Sequence, residues 1–217
     1  MAKSNEREYR TMTLAVPEQR AAEDQEERKI VEGYASTFNE PYTLYEDSEI
    51  VFREQVAPEA FDNTDMSDVI MQYDHQGRVF ARITNGTLEV EPDDNGLLIR
   101  ADLGGTDIGR ELYKEIAGGY TDKMSFGFTV DADEELRTED ENGRIDILRT
   151  ITGVAKLYDV SAVSIPANGG TSIGVQTRSR IDGAIEEVRA ERLAAEETEL
   201  ARLRAEVKAK AMSGGNK

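Results

Sequence analysis

Short segments rich in β-branched and aromatic residues follow one another from residue 30 to residue 163, and turn signals separate them. Two of these segments, IVEGYASTF and KMSFGFTV, alternate large and small residues and predict strands. The sequences NG and DDNG between other segments predict tight turns. Many short strands with only one or two helical patterns favour a mostly β, α+β fold, built as a barrel or a sandwich.

Other local patterns predict helices and loops between the strands. In TDIGRELYKEIAGGY, the apolar residues Ile108, Leu112 and Ile116 have helical spacing, and Gly118–Gly119 predicts the end of the helix. The segment APEAF resembles a short helix opened by proline. The acidic stretch DADEELRTEDENGR is interpreted as a loop or hairpin tip, and IDILRTITGVAKLYDVSAVSIPA is interpreted as two further strands.

The chain divides by composition into three segments. Residues 1–29 are polar and charged, and they predict a flexible or marginally helical lead-in. Residues 30–178 form the predicted folded domain, and residues 179–217 form a helical tail. From Ile181 to Met212 the tail has no proline and is rich in Ala, Glu, Arg and Leu. This composition predicts one amphipathic helix of roughly 30 residues, about 45 Å long.

Apolar residues in the tail recur every seven positions. Leu193, Leu200 and Val207 follow this repeat, and Leu203 lies between the last two. A narrow apolar stripe of this kind indicates pairing with another helix, because it buries little surface alone. A lone surface helix remains the alternative interpretation.

Composition excludes several functional classes. Cysteine is absent and histidine occurs once, so disulfide frameworks, thiol nucleophiles, thiolate metal sites and histidine-rich zinc sites are excluded, and no cofactor is predicted. The net charge of −18 argues against nucleic-acid binding, which needs a basic surface. A merely solvated acidic surface explains the charge equally well. No segment is apolar and long enough for a signal peptide or a membrane span, so we expect a cytosolic protein without a membrane partner.

The segment DKMSFGFTV places a serine beside a glycine on one face of a predicted strand. Strand alternation turns the bulky residues from Met124 to Val130 toward the core and leaves Ser125 and Gly127 on the opposite face. Glycine inside a strand often marks the close approach of another chain. Ser125 is therefore a candidate nucleophile, although most serines on strands are structural.

A carboxylate and the single imidazole provide two further candidates. Asp159 lies in a run of branched residues on the same predicted face as Ser161, and a desolvated carboxylate needs a partner. His75 ends the predicted strand SDVIMQYDH, just before a Gln-Gly turn signal, and could be that partner; a structural salt bridge to Arg or Lys is the alternative. Asp74 is adjacent to His75, but alternation sends neighbouring side chains to opposite faces, which favours Asp159.

The three residue types are more informative together than separately. A serine hydroxyl is a poor nucleophile unless a base accepts its proton, and the base works best when a carboxylate fixes its tautomer. We therefore expect Ser125 to act as nucleophile, His75 as general base and Asp159 as the group that orients the ring. The GxSxG motif is absent, which argues against an α/β-hydrolase.

The motifs YDH, GRELYKEIAGGYTDKMSFGF and LYDVSAVSIPAN together resemble the prohead (capsid-maturation) serine proteases of tailed bacteriophages, a family related in fold to the herpesvirus assemblin proteases. The resemblance covers about residues 30–175. It implies a compact, assemblin-like β-barrel with packed helices. It also places the catalytic histidine at His75 and the nucleophile at Ser125. The family usually has Glu before VS, where this chain has Asp159.

The resemblance further implies an endopeptidase that works through an acyl-enzyme in the host cytoplasm, inside the assembling procapsid. Its substrates would be the scaffold or major capsid protein and, by autocleavage, the chain itself. Gly127 and the adjacent Phe126 are expected to contact an extended substrate. The N–H groups of Gly118 and Gly119 are candidate oxyanion donors. The helical tail would contact the scaffold or another copy of the chain.

Two other functions fit parts of the sequence. A non-catalytic scaffold or assembly protein would use the C-terminal helix to join a shell, with the β domain as a passive module. A carbohydrate- or metal-binding β module is less favoured, because tryptophan is absent and no metal-ligand spacing occurs.

Overall fold

The computed structural model of the protein describes residues 7–13, 28–164 and 175–213. The residues 14–27 of the predicted lead-in and the motif IPAN lie outside the described residues. Within the described part, two short 3₁₀ helices, Pro58–Phe61 and Ile83–Asn85, accompany ten strands and two α-helices. In chain order these elements are β1 (Glu8–Thr13), β2 (Ile30–Thr37), β3 (Tyr42–Glu46), β4 (Ile50–Val56), β5 (Ile70–Tyr73), β6 (Gln76–Arg82), β7 (Leu88–Pro92), β8 (Gly96–Asp102), α1 (Asp107–Ala117), β9 (Lys123–Glu139), β10 (Ile145–Val163) and α2 (Val175–Ser213).

The strands form two sheets. The larger sheet has seven strands in the order β1-β9-β10-β4-β3, with β5 joined to β10 and β6 joined to β5. The smaller sheet has the order β2-β8-β7. The predicted mostly β, α+β class is confirmed. In place of the predicted compact barrel, the described residues form two open sheets, because the end strands of the larger sheet, β1 and β3, do not pair with each other.

A long antiparallel hairpin of β9 and β10 forms the centre of the larger sheet. The prediction of two separate strands after residue 144 is wrong, because β10 runs without a turn through bulges on both sides of Gly153. The acidic stretch from Asp131 to Glu139, predicted as a loop, continues β9, and the turn takes only the residues that follow. Pairing with a long neighbouring strand stabilises these exposed polar residues although they lack an apolar face.

The bulky face of β9 lies in the hydrophobic core, as alternation predicts. Its four large side chains are buried in one cluster with residues of β2, β8 and α1. These side chains are Met124, Phe126, Phe128 and Val130. The smaller sheet and α1 therefore pack on the end of the hairpin that carries Ser125.

The helix α1 begins and ends where the sequence predicts. The Thr106 hydroxyl caps its first turn by accepting the Gly109 N–H at 3.1 Å. Leu112 and Ile116 are buried in the core, as their spacing predicts. Gly119 has a φ of 72°, a conformation suited to glycine, and it follows the last helical turn.

Two arginines and two glutamates form a buried ion-pair network that joins three strands. Arg10 donates to the Glu54 carboxylate at 2.5 and 2.8 Å, and Arg149 donates to the same carboxylate at 2.7 Å. Glu8 accepts from both arginines at distances from 2.7 to 3.1 Å. The network therefore attaches β1 to β4 and β10, in addition to its backbone pairing with β9.

The strand β1 lies inside the segment predicted as a flexible lead-in, so that prediction is wrong for residues 8–13. Its charged residues resemble a solvated surface in the sequence. In the fold, Glu8 and Arg10 are buried because each meets an opposite charge on another strand. Burial of charge is tolerated only with such partners, and the sequence does not show which distant residues provide them.

The helix α2 contains the predicted tail helix and begins earlier, at Val175. The chain divides into two compact units, residues 1–177 and 178–217, next to the boundary predicted from composition. No helix in the described ranges combines the length and the apolar character needed to cross a membrane.

Replacing Glu54 by Gln tests the buried network. We expect the free energy of unfolding to fall by about 3–5 kcal/mol, because Arg10 and Arg149 would remain buried with less compensating charge. Asp146→Asn is the matched control: Asp146 pairs with Arg53 next to Glu54 in sequence, but that pair is partly exposed and should contribute about 0–1 kcal/mol. Urea unfolding measures both, and equal losses would contradict the prediction.

Candidate active site

His75 lies in the two-residue turn of the hairpin between β5 and β6. Asp74 and His75 have positive φ values of 50° and 58°, the pattern of a type I′ turn. The strand ends next to His75 as predicted, but Asp74 and His75 form the turn rather than the Gln-Gly pair that follows. Non-glycine residues rarely adopt this conformation, so contacts from outside the hairpin must hold it.

Asp74 provides such contacts. Its carboxylate accepts the Ser164 N–H at 2.9 Å and the Ser164 hydroxyl at 2.8 Å. Its own N–H donates to the carbonyl oxygen of Ala162 at 2.9 Å. These bonds attach the turn to the end of β10. The Asp74 carboxylate is thus directed to Ser164 and not to His75. The reason predicted for this, strand alternation, is wrong, because both residues lie in the turn.

The Asp159 carboxylate and the His75 imidazole are in direct contact. Nδ1 of His75 lies 2.5 Å from Oδ1 of Asp159, and the Ser161 hydroxyl donates to the same oxygen at 2.6 Å. Asp159 is only 2% exposed, so the predicted imidazole partner of a buried carboxylate is present. A carboxylate at Nδ1 favours the tautomer with the proton on Nδ1 and leaves Nε2 to exchange protons.

Ser125 lies on β9 between Thr11 of β1 and Ser161 of β10 in the strand register. Its side chain is buried, with 2% of the residue exposed. In the part of the chain that the structure describes, its Oγ has no hydrogen-bond partner. Ser125 therefore makes no hydrogen bond to His75 in this conformation. An unpaired buried hydroxyl lowers stability, which points to a role outside the packing of the fold.

Gly127 lies opposite both Tyr9 and Asp159 in the strand register. A Cβ at this position would lie 2.6 Å from Oδ2 of Asp159 and 2.8 Å from a ring carbon of Tyr9. The Tyr9 ring also packs against the His75 ring, with their centroids 4.3 Å apart. Gly127 therefore makes room for the carboxylate and the tyrosine, in place of the predicted opening for a substrate.

Three residues predicted at the site serve the fold instead. Phe126 is 1% exposed and stacks on Phe128 in the core, so its side chain is not available to a substrate. The N–H groups of Gly118 and Gly119 donate to carbonyl oxygens in the last turn of α1, at 2.9 and 3.0 Å. Because these donors satisfy the helix end, they are not available to an oxyanion.

Ser161 and Tyr9 contact the site but are not among the predicted site residues. The position of Ser161, two residues after Asp159 on the same strand, is a signal that could identify it. Tyr9 belongs to β1. Its neighbours are highly charged, so the segment is interpreted as flexible and gives no signal for a site residue. Ser161 contacts the Asp159 carboxylate, and Tyr9 contacts the His75 imidazole.

A groove of about 410 Å³ opens beside the His75 hairpin, between β6 and α1. Tyr73, Phe80 and Leu112 form its apolar part, and Glu111 and Glu115 add two carboxylates from α1. Across the described ranges, no group of three His, Asp or Glu side chains is arranged to hold a metal ion.

An imidazole held by a buried carboxylate, with a buried serine on the neighbouring strand, fits the serine peptidase class. The chain belongs to the caudovirus prohead serine protease family, whose model matches residues 16–183 and thereby includes His75, Ser125 and Asp159. Membership indicates a serine peptidase of capsid maturation, which acts inside the procapsid in the host cell. Comparisons with curated proteins and with solved structures gave no match.

Replacing Gly127 by Ala tests the packing of the site. The new methyl group would displace Asp159 or Tyr9, and we expect a loss of about 1–3 kcal/mol in the free energy of unfolding. We also expect shifted ring resonances of His75, which NMR assigns without ambiguity because the chain has one histidine. Gly105→Ala is the control, since a Cβ there meets no atom within 4 Å. Unchanged His75 resonances in Gly127→Ala would contradict the prediction.

Proposed function

We propose that the protein is a serine endopeptidase in which Ser125 is the nucleophile, His75 the general base and Asp159 the group that orients the imidazole. The observation that carries the proposal is the 2.5 Å contact between His75 and a buried carboxylate. This chain has one histidine, and its imidazole is held in the way that a serine peptidase requires.

In the proposed reaction, the Asp159 carboxylate accepts a hydrogen bond from Nδ1–H of His75, and Nε2 removes the hydroxyl proton of Ser125. The Ser125 oxygen attacks the scissile carbonyl carbon, and the C–N bond breaks as Nε2–H delivers its proton to the leaving amine. Water then attacks the resulting ester, with His75 again accepting the proton. Ser125 leaves as the free hydroxyl, and the product is a carboxylic acid.

Two serines lie near the carboxylate, and their surroundings distinguish them. The Ser161 hydroxyl already donates to Asp159, which commits its proton to the carboxylate. The Ser125 hydroxyl is without a hydrogen-bond partner in the described residues and lies directly across the strand pair from Ser161. This difference supports Ser125 as the nucleophile and Ser161 as a residue that positions Asp159.

The burial of Ser125 indicates how the activity of the proposed peptidase would be regulated. A substrate can reach a hydroxyl on a residue that is 2% exposed only after part of the site moves. Opening of the site would also have to bring Nε2 of His75 within hydrogen-bonding distance of Ser125, because that bond tightens only when substrate is bound in many hydrolases. We propose that the described conformation is latent and that assembly of the shell favours the open one.

The proposed substrates are the scaffold or the scaffold-like region of the major capsid protein, and the chain itself. Family membership supports a substrate of this kind, because prohead proteases act during capsid maturation. The groove beside the His75 hairpin is a candidate site for a substrate side chain. Its apolar lining favours an apolar side chain, and the charges around it are mixed, because Arg78 lines the groove together with the two glutamates.

A second candidate function is a non-catalytic assembly protein that binds a shell through α2. The exposed apolar residues of α2 favour this function. The contact between α2 and the shell is itself compatible with the first function, since a protease that acts inside a procapsid also needs a means of incorporation.

Mass spectrometry of the chain expressed with its major capsid protein tests the peptidase. We expect trimmed products from the wild type. Ser125→Ala and His75→Ala should each lower the rate of processing by a factor on the order of 10⁴ or more, because the acyl-enzyme no longer forms or its base is missing. Ser67→Ala, a change at an exposed serine before β5, is the control and should process normally.

Adding Ser161→Ala to this set of variants separates the alternatives. Normal processing by Ser125→Ala combined with its loss in Ser161→Ala would move the nucleophile to Ser161. Normal processing by both variants would refute the peptidase proposal and leave the assembly function.

A further inference from the structure

The second half of α2 carries an exposed apolar stripe. Leu193, Leu200, Leu203 and Val207 are between 48% and 68% exposed. Their spacing fits positions a, a, d and a of consecutive heptads, which lie on one side of a helix. Exposed large apolar side chains at this spacing are typical of one strand of a coiled coil rather than of a solvated helix.

The charges beside the stripe are arranged for a partner of identical sequence. In this heptad frame Arg192 and Glu199 occupy g positions, and Glu197 and Arg204 occupy the e positions that follow them. In a parallel, in-register pair of helices, each g residue meets the e residue five positions later on the other helix. Arg192 would then meet Glu197 of the second copy, and Glu199 would meet Arg204 of the second copy, so both contacts join opposite charges.

An antiparallel pair fits the same stripe less well. Antiparallel packing places each a residue in a layer with a d residue of the other helix, so Leu193 would meet Lys210 and Val207 would meet Glu196. The parallel register instead places each of the four apolar residues against its own equivalent. In the parallel register Glu196 meets its own equivalent at a d position, which makes the pair weak, and Lys210 limits the pair at its C-terminal end.

We propose that α2 binds a second copy of this chain as a parallel, in-register two-stranded coiled coil over residues 192–207. The contact joins two protease domains through their C-terminal helices. It does not depend on the peptidase chemistry. Its weakness suits association at the high local concentration inside a shell, where many copies of one protein are confined.

Cysteine cross-linking of the full-length chain tests both the contact and its direction. The chain has no cysteine, so an introduced thiol has no competitor. In a Ser125→Ala background that prevents self-cleavage, Leu193→Cys and Val207→Cys should each form a disulfide-linked dimer under mild oxidation. Ala205→Cys, on the opposite side of the helix, is the matched control and should cross-link several-fold more slowly.

The pattern of cross-links decides the proposal. An antiparallel pair would place the two copies of residue 193 far apart and would cross-link only cysteines near its centre, such as Leu200→Cys, which would overturn the proposal. Equal rates for all cysteines, including Ala205→Cys, would also overturn it, because they would reflect random collision. Absence of a disulfide-linked dimer in both Leu193→Cys and Val207→Cys would overturn it as well.

Charge and core variants give a second measurement that does not rely on thiols. Sedimentation of the Ser125→Ala chain should show several-fold weaker dimerisation in Arg192→Glu and recovery when Glu197→Arg is added, because the g–e contact is then reversed. Glu196→Leu should strengthen the dimer by replacing a charged d position with leucine. An unchanged dimerisation constant in all three variants would overturn the proposal. The peptidase is tested separately, by its own variants.

Discussion

Continuous pairing between β9 and β10 is the constraint on which the rest of the structure depends. One register sets Ser125 opposite Ser161 and Gly127 opposite Asp159, so the distance between hydroxyl and carboxylate is fixed by backbone hydrogen bonds rather than by flexible side chains. The outer edges of the same hairpin then receive β1, β4 and β5. Because β5 pairs with β10 at Asp159 and Asp74 bonds to Ser164, the turn that carries His75 lies at the carboxylate.

Two buried polar clusters depend on this sheet, and both obey the same rule that a buried charge needs a partner. In the ion-pair network, burial and the neighbouring Glu54 carboxylate raise the pKa of Tyr42 above its usual value, and the phenol donates a hydrogen bond to Glu54. At the candidate site, His75 and Ser161 compensate Asp159. Ser125 differs from both clusters, because its buried hydroxyl has no hydrogen-bond partner in the described residues. It is the residue that we propose as the nucleophile.

Sequence patterns predicted the structural features that neighbouring residues determine. They failed for features that depend on residues far apart in the chain. Spacing and glycine gave the bounds of α1, and the cost of burying a carboxylate pointed from Asp159 to an imidazole partner. The strand β1 was not predicted, because in the sequence Arg10 resembles a solvent-exposed residue. Only the fold shows that it pairs with Glu54. Phe126 and Gly118 lie near the site in sequence, but packing and helix capping already use them. Tyr9 was not predicted for the same reason, because it contacts the site only from another strand.

The type I′ turn has a consequence for how such a site can change over time. Asp74 and His75 both lie in a backbone region that costs non-glycine residues of order 1–3 kcal/mol each. Asparagine or glycine at position 75 would relieve that strain, but it would also take away the imidazole that compensates the buried Asp159 carboxylate. Two opposite effects on stability therefore meet at this single position. In the proposed mechanism the same imidazole is the base, so a more stable variant is better sought elsewhere in the sheet.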